Sequence, residues 1–144
     1  MIAREPIYAA LFARVAAAAD FVTAERRLRH WSGLAPAEQP ALLQRQKSET
    51  AMVKAWGAPM VWTLTVELYV YAHSSDPYLA PAMVLNPLLD AVEAALMPAA
   101  VTGVQDLGLP AMVQHACIAG KIATDEGALG DQAVAIIPVE ILCL

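Results

Sequence analysis

The stretch Met60-Val61-Trp62-Thr63-Leu64-Thr65-Val66-Glu67-Leu68-Tyr69-Val70-Tyr71-Ala72-His73 decides the fold. Trp62, Leu64, Val66, Leu68 and Val70 alternate with Thr63, Thr65, Glu67, Tyr69 and Tyr71. A period of two over ten residues is that of a β-strand with one apolar and one mixed face. Such a strand needs a cover for its apolar face. Ser74-Ser75-Asp76-Pro77 ends it.

The covers read as helices. Upstream, Ile7, Leu11, Val15 and Ala18 recur at helical spacing, widened by Tyr8 and Phe12, behind Glu5 and Pro6. The run Ala16–Ala19 extends this helix and Asp20 ends it. Downstream, Asn86-Pro87 reads as N-cap and first helical residue, with a preceding turn over 82–85. Its apolar stripe is Leu85, Leu88, Leu89, Val92, Ala95 and Leu96, and Pro98 stops it.

The partner strands are less regular. Residues 21–31 read as a strand on the strength of Phe21, Val22, Thr23 and Trp31, and 41–46 as a short second one. Residues 47–59 contain Ser48, Gly57 and Pro59 and read as a long mobile loop carrying Met52, Val53 and Trp56. A strand over 111–124 places His115 and Cys117 on one face, and 125–131 reads as a hairpin loop. The last strand, 132–142, sets Ala133, Ala135, Ile137, Val139 and Ile141 on one face. Pro138 inside it fits an edge or a bulge. The order α-β-β-β-α-β-β gives one α+β domain over residues 1–144, a mainly antiparallel sheet with two helices on one face.

Composition bounds the function. The 144 residues are 58% hydrophobic and only 16% charged, with a mean hydropathy of +0.49. The longest stretch without a charge is 107–120, too short and too broken for a membrane-spanning helix, so no membrane partner is expected. So apolar a small domain is expected to self-associate. Charge is polarised: residues 1–54 carry a net +3 and residues 55–144 a net −8. Opposite charge on the two parts suits head-to-tail association, and the net −5 argues against sequence-independent nucleic-acid binding.

Chemistry-bearing patterns are sparse. His30, His73 and His115 stand at no metal-ligand spacing, Cys117 and Cys143 read as free thiols, and no phosphate loop is present, so no catalytic residue, cofactor or metal is expected. Glu67 and Glu140 read as members of cross-strand charge ladders with Arg45, Lys121 or the arginine cluster. Arg26, Arg27 and Arg29 read as a basic strip used in an interface, with Arg27 and Arg29 on one strand face. The opening Met-Ile-Ala-Arg-Glu-Pro has no apolar run behind its charge, so no secretory leader is expected.

Four phrases carry a resemblance: Ile7-Tyr8-Ala9-Ala10-Leu11-Phe12-Ala13; Arg26-Arg27-Leu28-Arg29-His30-Trp31 with Glu38-Gln39-Pro40-Ala41-Leu42; Trp62-Thr63-Leu64 and Tyr69-Val70-Tyr71 with Leu85-Asn86-Pro87-Leu88-Leu89-Asp90; and Thr124-Asp125-Glu126-Gly127 before an apolar last strand. In this order, over nearly the whole chain, they resemble the tail terminator (tail completion) proteins of long-tailed bacteriophages and prophages. Head–tail joining proteins of similar size share much of the pattern. The resemblance implies a non-enzymatic α+β subunit made in the host cytoplasm and built into the virion. A ring of copies, hexameric in most such proteins, would close the head-proximal end of the tail tube and dock to head-side connector proteins. DNA would pass through its lumen without sequence-specific binding. The interface residues expected are Arg26, Arg27, Arg29, Met52, Val53, Trp56, Glu67 and Glu140. The contrasting class is a small enzyme or ligand-binding domain using Cys117, His115 or Glu67.

Overall fold

A computed structural model describes residues 2–128 and 130–144. The elements are α1 (Arg4–Ala16), β1 (Thr23–Glu25), β2 (Ala41–Met52), β3 (Val61–His73), α2 (Pro81–Ala95), β4 (Val113–Ile118), β5 (Ala123–Gly127) and β6 (Gly130–Cys143), with 3-10 turns at Trp31–Gly33 and Pro36–Glu38. The strands form one sheet in the order β1-β2-β3-β6-β4, with β5 also paired to β6. All pairings are antiparallel except β1 with β2. This is the α+β architecture that the sequence implies.

The alternation of β3 translates directly into burial. Leu64, Val66, Leu68 and Val70 are wholly buried, and they share one core with Ile7, Leu11 and Val15 of α1 and Leu85 and Val92 of α2. On β6, Ala133, Ala135, Ile137, Val139 and Ile141 complete the same face. The opposite face has a smaller cover. There Trp31 and Leu34 lie over Ala41, Leu43 and Tyr71 at one end only. Gln39 and Gln132 seal that end through reciprocal amide hydrogen bonds of 2.9 and 2.8 Å.

The structure corrects several boundaries. Residues 21–31 hold only a three-residue strand, because Glu25 is the last to pair with β2 before the chain folds over the outer face. Helix α1 ends at Ala16, before the rest of the alanine run and Asp20. Helix α2 starts at Pro81, so Pro87 lies inside it. Pro87 and Met83 are both exposed, and water can take the Met83 carbonyl that the proline leaves without a donor. The loop expected over 47–59 is shorter: β2 continues to Met52, past a bulge at Lys47. That bulge inverts the alternation, which is why the strand reads as ending at Gln46.

The strand expected over 111–124 is two strands, β4 and β5. A second bulge, at Gln114, lets both Val113 and Ala116 face the core. The loop expected over 125–131 is strand up to Gly127 and again from Gly130; Leu129 lies outside the described residues. Pro138 is on an interior strand, not an edge. It sits where β4 stops and β5 has yet to start, and its carbonyl accepts from Ala119 N at 3.0 Å. N–H and C=O of an antiparallel residue point the same way, so the missing N–H falls in this gap and costs no ladder bond. Gly120, at φ +109°, lets the chain pass beside the proline ring.

Leu68→Ala should therefore destabilise the fold by roughly 2–5 kcal/mol, read as a lower urea midpoint at unchanged slope. A cost below about 0.5 kcal/mol would mean that Leu68 is not a core residue.

Candidate interaction surface

The β2–β3 hairpin is an arm. Its root, Ala41–Gln44, is buried, and from Arg45 outward β2 is almost entirely exposed. The tip follows Met52 and returns at Val61, turning through an Ala58 N–H to Ala55 carbonyl bond of 3.1 Å and Gly57 at φ +83°. Its large side chains have no cover: Met52 is 59% exposed, Val53 60%, Met60 46%, and Trp56 is fully exposed. All three apolar residues expected from sequence to meet a partner are thus at the surface, with Met60 added to them.

A polar cluster holds the arm to α1. The bulge at Lys47 puts Glu49 opposite Leu64, on the helix side of the sheet. There Glu49 accepts Arg4 Nε at 2.7 Å and the Tyr8 hydroxyl at 2.9 Å. The Arg4 guanidinium also stacks over Trp62, 4.9 Å from its centroid. Burial, and then the Glu49 carboxylate, push the Tyr8 hydroxyl far above its usual pKa. An open cleft of about 390 Å³ lies beside this cluster, lined by Ile2, Arg4, Pro59, Met60, Trp62 and Leu144 among others. No sequence signal marks this contact; it depends on a bulge and on residues far apart in the chain.

The basic strip is divided. Arg26 pairs with Glu5 and reaches Gln46, and Arg29 pairs with Glu25 at 3.3 Å while donating to the Gly33 carbonyl. Arg27 is exposed and has no ion pair among the described residues. The expectation that Arg27 and Arg29 share a strand face fails, since β1 ends before both. The charge ladder at Glu67 is present. Arg45 lies 3.1 Å and Lys47 3.7 Å from its carboxylate, with the Tyr69 hydroxyl at 3.4 Å. Glu140 makes no ion pair among the described residues; it stands opposite Thr65 and Cys117 instead.

The remaining candidates serve the backbone. His30 Nδ1 accepts the Ser32 N–H, and His115 Nδ1 accepts the Gln105 N–H at 3.0 Å. Both cysteines are free, Cys143 buried and Cys117 half-buried. Burial, with Glu140 nearby, raises the Cys117 thiol, the opposite of what a nucleophile needs. Among the described residues no group of three or more His, Cys, Asp or Glu could hold a metal ion. No helix there is long and apolar enough to cross a membrane. The chain matches no protein-family model and no curated protein.

Tyr71 supplies a pH test of the outer-face cover. Its hydroxyl donates to the Arg29 carbonyl at 2.6 Å, and burial, then Tyr69, push its pKa up to about 12. An unfolded tyrosine titrates near 10. The folded state favours the neutral form, so this stabilisation is whole below about pH 10 and is lost as pH rises through about 12. Tyr71→Phe should cost about 1 kcal/mol at pH 9. The gap to the parent should narrow between pH 10 and 12, measured as urea midpoints. A gap that stays constant to pH 12 would rule out the shifted titration.

Proposed function

We propose that this chain is the subunit of a tail terminator ring. Copies join into a ring on the head-proximal end of a phage-type tail tube, stop its growth, and present the opposite face to head-side connector proteins. DNA crosses the lumen without sequence-specific contact, and the role is structural, not enzymatic. One observation carries this reading: an arm rooted in the core ends in Met52, Val53, Trp56 and Met60, all exposed. Apolar area at the end of a strand pair gains about 25 cal/mol for each Å² it buries, and an indole contributes most of all. Only a partner can supply that burial, because Trp56 touches no core of its own. The resemblance in sequence order supports the same reading, and it names the end of the tube as the partner.

Trp56→Ala tests it. The side chain is fully exposed, so the variant should keep the parent's urea midpoint within about 0.5 kcal/mol. Added to polymerising tail-tube subunits, the parent should shorten the tubes seen by negative-stain microscopy and sit as a ring at one end. The variant should leave tube length unchanged. Capping by the variant as efficient as by the parent would remove the tip from the contact. Failure of the parent to form rings or to bind tubes would refute the reading as a whole.

A further inference from the structure

The sheet has two edges, and they carry opposite charge. At one edge runs β5, five residues long, exposed throughout, with no strand on its outer side among the described residues. Asp125 and Glu126 lie on it, with Lys121 two residues before it. Neither carboxylate forms an ion pair among the described residues, and Lys121 is the only Lys or Arg in the chain after Lys54. At the other edge β1 covers β2 only from Ala41 to Leu43. Beyond that cover stand Arg27, exposed and unpaired among the described residues, and Arg45 and Lys47, which share the single carboxylate of Glu67.

We infer that the partner of each edge is the opposite edge of a second copy of this chain: the β5 edge, through Asp125 and Glu126, docks on the β1–β2 edge, through Arg27 and Lys47. This rests on the ring reading above and names the contact that would build the ring. From β5 the other edge lies three strand spacings away at β2, which carries Lys47, and four at β1, roughly 14 to 19 Å at about 4.8 Å each. Charges that far apart are screened from one another at physiological salt, where the Debye length is about 8 Å, so a subunit does not neutralise itself. Like edges repel: β5 on β5 sets Asp125 and Glu126 against their own copies, and β2 on β2 does the same with Lys47. The unlike pairing alone is attractive. A contact between two different patches is head-to-tail, and it closes into a ring when the rotation permits. The edges also limit how the contact is made. A short β5 and a bulge bearing a lysine both resist continuous strand addition, so side chains carry the docking.

Charge reversal tests it. One variant carries Asp125→Lys and Glu126→Lys, the other Arg27→Glu and Lys47→Glu; all four side chains are exposed, and circular dichroism checks that each variant is folded. By native mass spectrometry and sedimentation, each alone should remain monomeric at concentrations where the parent is a ring. An equimolar mixture should form rings with the two variants alternating, because an all-positive copy then meets an all-negative one. A chain bearing all four changes should assemble by itself. Rings of the parent should loosen between about 0.05 and about 0.5 M NaCl. Rings formed by either folded variant alone, or a mixture that stays monomeric, would overturn the edge contact while leaving the ring reading intact. A parent that is monomeric under all conditions would overturn both.

Discussion

The fold depends on β3 being enclosed. It is paired with β2 from Val61 to Tyr71 and with β6 from Trp62 to His73, and both helices lie over its apolar side. An inner strand with no free edge and one wholly buried face has only one register open to it, since a slip of one residue would turn Leu64, Val66, Leu68 and Val70 outward. With β3 fixed, β2 and β6 are fixed beside it. Every later choice in the chain is how to cover the inner face and how to end the two edges.

The elements that could be read from sequence are those whose periodicity runs unbroken. β3, most of β6 and the apolar stripe of α1 are of this kind; the inner-face residues that the pattern selects are buried, though Trp62 and Ala18 are only partly so, while Tyr71 and Gln132 are buried on the other face. The misreadings cluster where an extra residue or a proline interrupts the count. Lys47 and Gln114 each add one residue to a strand, and Pro87 mimics a helix start while lying inside a helix. The interaction surface divides in the same way. Glu67 with Arg45 was legible because cross-strand neighbours follow from register, and Trp56 because a tryptophan among turn residues has no local partner. The Arg4–Tyr8–Glu49 cluster and the Gln39–Gln132 pair were not, because each joins segments that only the finished fold brings together.

The two kinds of exposed surface suit two kinds of contact. The tip of the arm is apolar and nearly free of charge, so its association would be strong only where water is fully excluded and would respond little to salt. The edges are charged and half-solvated, so theirs would be rapid, oriented and salt-sensitive. In the proposed assembly the first belongs to the tube and the second to the neighbouring subunit. Glu126 links the edge to the helical layer: its carboxylate accepts the Ala82 N–H in the first turn of α2, where a negative charge also meets the positive end of the helix dipole.

The bulge at Lys47 makes this residue dispensable to pairing and useful for another reason. A chain lacking Lys47 would keep each cross-strand partner from Ser48 to Met52, because the extra residue faces none. Glu49 would still meet Tyr8. What would change is the outline of β2: a straight, regular strand would replace a kinked one, with a continuous row of free amides and carbonyls and one lysine fewer. Such an edge is a template for any extended polypeptide nearby, its own nascent copies included. The single inserted residue therefore works as a safeguard on solubility, breaking the outline of an edge that would otherwise invite indiscriminate strand pairing.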